Sequence, residues 1–193
     1  MQYKKEAVYD KILAAARAEY LQRGFHGGNI STIAENAGVP VGNLYRYFDG
    51  KNGVLDAIVK PAYEAVPKLL SELQGVQVLD SLTLQQIMPL LGGKLLDFFE
   101  QFGQDILILV DCCEGTRYAD FSQEIVQRVA EIVCAKLYPS SCGKSEIVFS
   151  NIIAKAFCGS LFDILRQGAD REEMLRMTER LLKFYFFEVD KRK

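Results

Sequence analysis

The 193 residues carry 23 Lys and Arg, 25 Asp and Glu and a single His, a formal net charge of -2, with 49% hydrophobic residues. Such a chain has room for one or two modest domains with a real core, and its composition excludes both a disordered polymer and a protein that coats nucleic acid through bulk charge. The balance is uneven: residues 1–52 hold seven Lys and Arg against five Asp and Glu, or +2, which leaves -4 on the remainder and suits local contact with phosphate.

No N-terminal stretch combines a basic start, an apolar run and a small-residue cleavage site, so a cytoplasmic protein is expected. Uninterrupted apolar runs such as Ile106 to Val110 fall far short of the ~20 residues that cross a bilayer, so no membrane partner is expected. The five cysteines, Cys112, Cys113, Cys134, Cys142 and Cys158, are odd in number and contain no C-x-x-C pair. With only His26 as an imidazole, neither a structural zinc site nor a disulfide framework is expected.

In chain order, Val8, Ile12, Ala15, Ala16 and Tyr20 recur at spacings of three and four, predicting a helix from Tyr3 to Arg23 stopped by Gly24. Asn29 is placed to cap a short helix over 31–37, Gly38 supplies a turn, and Pro40 sits in the first turn of a helix ending near Phe48. Ile33, Ala34, Ala37, Val39 and Leu44 fall where two crossing helices would face one another. Val41 to Phe48 then becomes the helix presented outward, and a polar and aromatic helix in that position reads as a DNA-reading element.

A fourth helix begins near Lys51, with an end or kink expected at Pro61 and Pro67 because each proline removes a backbone donor. The stretch 74–81 reads as a connector. Helices follow over 83–102, weakened at Pro89 and Gly92-Gly93, over 104–113, and over 121–138. After a turn-rich 139–144 come two strong helices, 145–167 and one that begins at an Asp170-x-x-Glu173 capping arrangement and runs to the basic end 191–193. No alternating run of strand length and no internal repeat is found, so the fold is expected to be all-α with about nine helices in two parts.

Within Ile12 to Ile58 the patterns Ile12-Leu13-x-Ala15-Ala16, Gly24-Phe25, Ile33-Ala34-x-x-Ala37-Gly38-Val39, Gly42-x-Leu44-Tyr45-x-Tyr47-Phe48 and Lys51-x-x-x-Leu55 stand together. This segment resembles the DNA-binding domain of the tetracycline-repressor (TetR) family of bacterial transcription regulators. The resemblance implies an N-terminal helix-turn-helix domain over 1–50 and a helical ligand-binding and dimerisation domain over 51–193. It also implies a homodimer that binds a palindromic double-stranded DNA operator, acts as a repressor, and is released by a small-molecule effector.

The residue chemistry fits those roles. Gly42 lets backbone approach a base edge, Asn43 can donate and accept there, and the Tyr45 ring can lie against a thymine methyl. Arg46, Tyr47 and Lys51 read as phosphate contacts, and the resemblance adds Ser31 and Val41. The family commonly has a polar or basic residue in place of Val41 and threonine in place of Asn43, so no operator sequence is implied. Leu44, Phe48 and Phe25 read as core.

Beyond the fourth helix the resemblance implies architecture only. Phe149, Ile153, Ala156, Phe157, Ser160, Met174, Met177, Leu181 and Phe184 are candidates for a four-helix dimer interface built from the last two long helices, some of them facing the core of their own subunit instead. Tyr63, Phe98, Phe102, Asp111, Cys112, Tyr118, Phe157 and Phe162 are candidates to line an effector pocket. Asp111, with Glu114 and Arg117, serves there only if it points inward; otherwise these residues are a solvated helix end.

The segment Gly115-Thr116-x-Tyr118 is similar to one in a subset of the family, which makes it a feature of the fold. Cys112 and Cys113 read either as apolar fillers or as a thiolate sensor of oxidants or soft metals. The glycines around His26 follow a helix and lack a downstream Gly-Lys-Ser/Thr, so they are not a phosphate loop. No catalytic residue, metal cluster or cofactor loop is found, and the chain is not expected to be an enzyme.

Overall fold

The computed structural model describes residues 2–77, 84–138 and 143–187, and every regular element among them is helical. In α1 (Gln2–Gly27) the positions that recur every three or four residues, Ile12, Leu13, Ala16 and Tyr20, are the buried ones. Gly24 leaves the helical region at φ 67° and ψ 173°, so the expected stop is a kink after which one more turn forms. Then come α2 (Ile30–Asn36), α3 (Val41–Tyr47), α4 (Gly50–Gln77), α5 (Leu84–Asp111), α6 (Phe121–Leu137), α7 (Lys144–Gln167) and α8 (Arg171–Leu182). A π-helical stretch, Lys183–Phe187, continues α8.

The all-α reading holds, with eight α-helices among the described residues where about nine were expected. The difference lies in α5: the helices expected over 83–102 and 104–113 are one helix of 28 residues that includes Pro89, Gly92, Gly93 and Gly103. Likewise α4 runs through Pro61 and Pro67 without ending at either. A proline inside a helix costs about 3 kcal/mol. Both prolines are exposed, and the opposite face of α4 buries Val54, Leu55, Ile58, Val59 and Ala62 completely or nearly so. At roughly 1.5–3 kcal/mol per fully buried side chain, that face outweighs two missing backbone bonds.

The connector expected over 74–81 is helical to Gln77, and its remainder, like the turn residues 139–142 and the basic end 191–193, lies outside the described residues. Packing divides the chain into two compact units. The first joins Met1–Ala65 to Gln104–Phe121, and the second joins Val66–Gly103 to Ser122–Lys193.

The core of the first unit is made of Ile12, Tyr20, Ile33, Leu44, Ile58 and Ile108, each fully buried. Helices of seven residues such as α2 and α3 are too short to persist alone; this shared core is what keeps them folded. Arg17 reaches from α1 to Asp105 on α5, and the Phe25 N–H donates to the Cys112 carbonyl at 2.9 Å.

In the second unit α5 passes so close to α8 that a Cβ on Gly92 would lie 3.0 Å from Glu179 Cγ and 3.2 Å from Leu175 Cδ1. Gly92, one of the two glycines that weaken the helix in sequence terms, is therefore a place of close approach, whereas a Cβ on Gly93 would meet nothing within 4 Å. Asp170 caps α8 by accepting from the Glu173 N–H at 2.9 Å, and Arg171 bonds to Asp97 and Glu100 on α5.

Two features were not visible in the sequence patterns. By length and composition alone α7 is apolar enough to cross a membrane, with mean hydropathy 1.5 in its best window; uninterrupted runs understate a helix whose few charges are spread out. Its inner face, including Ala154, Phe157, Cys158 and Leu161, is nevertheless buried in the second unit. Cys134 is disulfide-bonded, whereas Cys112, Cys113 and Cys158 are free thiols. Spacing rules detect frameworks and miss a single bond.

Candidate nucleic-acid interface

The outward helix α3 is set by three local devices. Asn29, in extended conformation, turns its side-chain oxygen to accept the Ser31 N–H at 2.8 Å, which starts α2. Gly38, at φ 68°, closes it: the Gly38 and Val39 N–H groups return to the carbonyls of Glu35 and Ala34, each at 3.0 Å. Pro40, at φ -59°, stands immediately before α3, one position earlier than its expected place in the first turn.

Leu44 is then fully buried and Phe48 nearly so, which fixes the rotation of α3. The outer face presents Val41 at 38% exposure and Tyr45 at 58%, with Gly42 and Arg46 also exposed and Asn43 half-buried. Ser31, exposed at the start of α2, belongs to the same helix-turn-helix. Tyr47 is half-buried, its ring 6.3 Å from Tyr9, which itself stacks on Phe48 at 5.0 Å. Part of Tyr47 therefore packs against α1, a role that sequence alone did not indicate.

Lys51 is more engaged than expected. Its ammonium donates to the His26 carbonyl at 3.1 Å and lies 4.6 Å from the centre of the Phe25 ring, while its own carbonyl accepts the Tyr20 hydroxyl at 3.2 Å. Loss of solvent lowers the Lys51 pKa, and the charge of Glu19 opposes that shift. Burial pushes the Tyr20 phenol well up, so it stays a donor. Glu19, only 3% exposed, accepts the Asn29 N–H at 3.1 Å. Neither Glu19 nor the Arg17–Asp105 pair was singled out in the sequence, where a charge at a helical position reads as a solvated face.

Three comparisons with known proteins bear on this geometry. Residues 12–58 match the family model described as bacterial regulatory proteins, tetR family. The N-terminal segment is thus similar to the tetR family of bacterial regulatory proteins. It is 27% identical over 118 residues, 61% of its length and 56% of the other, to the HTH-type transcriptional regulator UidR of Escherichia coli K12. It is 33% identical over 86 residues, 45% of its length and 41% of the other, to the probable HTH-type transcriptional regulator YttP of Bacillus subtilis. The chain thus spans about half the length of the curated relatives it matches. A TetR-family regulator structure from Bordetella parapertussis matches in fold with TM-score 0.67 at 17% identity, over 95% of this chain and 96% of that one.

The expected effector residues fall in both units. Tyr63, Asp111, Cys112 and Tyr118 belong to the first, where the Tyr63 ring lies 5.4 Å from Tyr118 and 5.7 Å from Phe121. Phe98, Phe102, Phe157 and Phe162 belong to the second, where Phe98 and Phe102 lie 5.1 Å apart and Phe157 is buried against Tyr185 at 5.7 Å. Asp111, Glu114 and Arg117 are exposed, as a solvated helix end would be, and Arg117 pairs with Asp56 at 3.0 Å.

Burial pushes the Cys112 thiol up and Cys113 to about 11, away from the thiolate a sensor needs. An open depression of about 400 Å³ lies at the α7–α8 turn, lined by Asp163, Ile164, Gln167, Ala169, Glu173 and Met177. None of the expected effector residues lines it.

Of the expected dimer residues, Phe149, Ala156 and Phe184 are exposed, Ile153, Ser160, Met174, Met177 and Leu181 are half-buried, and Phe157 is buried. Ile147, Val148 and Ile152, which were not among the expected dimer residues, add to the exposed apolar surface at 47%, 59% and 59%.

Proposed function

We propose that the protein is a DNA-binding transcription regulator, a cytoplasmic homodimer that represses by occupying a palindromic operator and is released by a small-molecule effector. The observation that carries this reading is the outer face of α3, where Val41, Gly42, Tyr45 and Arg46 stand exposed on a helix locked from beneath by Leu44 and Phe48. The exposed ring and guanidinium carry chemistry that suits DNA, since a major groove offers thymine methyls to the one and phosphates to the other.

Residues 1–50 carry the reading, and 51–193 take the effector and pair the subunits. Val41, Gly42, Asn43 and Tyr45 meet base edges, while Ser31, Arg46 and Tyr47 meet the sugar-phosphate backbone. In the operator-bound dimer two copies of α3 enter successive major grooves about 34–36 Å apart. The exposed apolar face of α7 with Phe184 supports pairing through the last helices, and the aromatic clusters of both units supply surface for an apolar effector.

The test is binding of the full chain to duplexes covering the DNA that flanks its own gene, read by gel shift and fluorescence anisotropy. The parent is expected to retain one fragment under competitor DNA, and Tyr45→Ala and Arg46→Ala to weaken it tenfold or more. A parent that binds no such fragment at low salt, or a Tyr45→Ala variant equal to it, overturns the reading.

A further inference from the structure

We propose that Glu19 and Lys51 are positioning residues that clamp the Gly24 to Asn29 turn from two sides, and that Lys51 acts in this way rather than by neutralising a phosphate. The proposal rests on the DNA-binding reading for its functional consequence. Its structural part stands on a set of contacts made from α1 and from α4. From α1, Glu19 Oε1 accepts the Asn29 N–H at 3.1 Å, and Arg23 Nε lies 3.8 Å from the same oxygen. Asn29 in turn holds the Ser31 N–H, so the carboxylate is one hydrogen bond removed from the first turn of α2.

From the start of α4, Lys51 Nζ donates to the His26 carbonyl at 3.1 Å and covers the Phe25 ring at 4.6 Å. The Tyr20 hydroxyl, fully buried between α1 and α4, ties the Lys51 carbonyl as well.

A carboxylate that is 3% exposed is costly to keep. It is odder still close to a surface proposed to meet phosphate, because its charge subtracts from the attraction. The arrangement makes sense if the charge serves geometry. The anion supplies a strong acceptor for a backbone N–H at the mouth of a helix, with the Arg23 guanidinium 3.8 Å away to offset its charge. The clamp then fixes where α2 begins, and through the Gly38 turn where α3 lies.

Two measurements on the full chain test this. Amide hydrogen exchange of the DNA-free protein is followed at Asn29 and Ser31 in the parent and in Lys51→Met, Lys51→Arg, Glu19→Ala and Glu19→Gln. Operator-duplex affinity is measured over a range of salt for the parent and the two Lys51 variants. Lys51→Met and Glu19→Ala are expected to raise exchange at both amides about tenfold, the worth of one net hydrogen bond. Lys51→Arg and Glu19→Gln, which keep a donor and an acceptor, are expected to stay within a few-fold of the parent.

For DNA, Lys51→Met is expected to weaken binding by a similar factor at every salt concentration, with the slope of log affinity against log salt unchanged. A slope reduced by about one identifies Lys51 as a phosphate contact and overturns the proposal. Unchanged exchange in both Lys51→Met and Glu19→Ala overturns it too. If the parent binds no duplex, the DNA reading fails while the exchange measurements still decide the clamp; if Glu19→Ala does not fold, Lys51→Met decides it.

Discussion

Arg17 and Asp105, 88 residues apart in sequence, meet in a two-point ion pair, with Nε–Oδ1 at 2.6 Å and an Nη2–Oδ2 bond at 3.0 Å. The Asp105 side chain is 7% exposed and that of Arg17 29%. The paired carboxylate raises the Arg17 pKa, so the guanidinium is charged at any pH the fold survives. Removing Arg17 strands a buried carboxylate, whereas removing the charge of Asp105 leaves a guanidinium that still reaches water. Arg17→Met is therefore expected to cost about 2–4 kcal/mol, discounted slightly for the exposure of Arg17, and Asp105→Asn less. Urea unfolding monitored by circular dichroism checks both; equal losses, or none, would show that the pair contributes nothing specific.

The buried thiols give the fold an alkaline limit. Burial raises Cys113 to about 11 and Cys158 to about 12 from an ordinary value of 9.0. Because folding favours the protonated thiol, its contribution is fully present below pH ~9 and is lost as pH climbs through the raised values. Between pH 9 and 11 the loss assignable to Cys113 is about 2 kcal/mol. Stability measured against pH for the parent and Cys113→Ala should show a shallower alkaline fall in the variant. Parallel curves would mean that the thiol is not protonated by its burial.

What the sequence made legible is local chemistry. The Asn29 cap, the Gly38 turn and the Asp170 cap of α8 each depend on residues within four positions and are seen where expected, and Gly24 breaks the helical path where a stop was expected, although one more turn follows it. The continuation of α4 past Pro61 and Pro67 and the union of two expected helices in α5 were not legible, because burial along a whole helix face overrode local propensity. Packing of 104–121 with the N-terminal helices was equally hidden, since it depends on partners such as Arg17 and Asp105 that no spacing rule connects. On the candidate interface the exposed set could be read from helical periodicity. The inward ties of Tyr47 and Lys51 could not, as both residue types ordinarily point their polar ends to solvent.

Two glycines separate folding from reading. A Cβ on Gly28 would stand 2.8 Å from Tyr20 Cδ1, and Tyr20 is fully buried and cannot yield. Gly28→Ala is expected to destabilise by about 1–3 kcal/mol through overpacking. Around Gly42, within α3, a Cβ meets nothing within 4 Å. Gly42→Ala should therefore stabilise the chain slightly, by up to about 1 kcal/mol of helix propensity, while a methyl group pushed toward the base edges weakens operator binding. Thermal melts and anisotropy on both variants check the contrast, and a Gly42→Ala protein that binds as the parent does would remove Gly42 from the interface.

The outer face of α7 bears on how two subunits would pair. Val148 and Ile152, both 59% exposed, lie one turn apart on the same face, and Phe149 and Phe184 are each about half exposed. Buried apolar surface of this kind drives association at about 25 cal/mol per Å², and one charge placed in its midst must be desolvated if two copies meet there. Ile152→Glu is therefore expected to shift the chain from dimer to monomer in light scattering. Its helical circular dichroism should be kept, because the residue touches solvent in the single chain. Operator affinity should fall with the dimer, since a lone α3 grips only one half-site. A variant that remains dimeric would place the subunit contact elsewhere, and one that loses helicity would show that Ile152 supports the single chain instead.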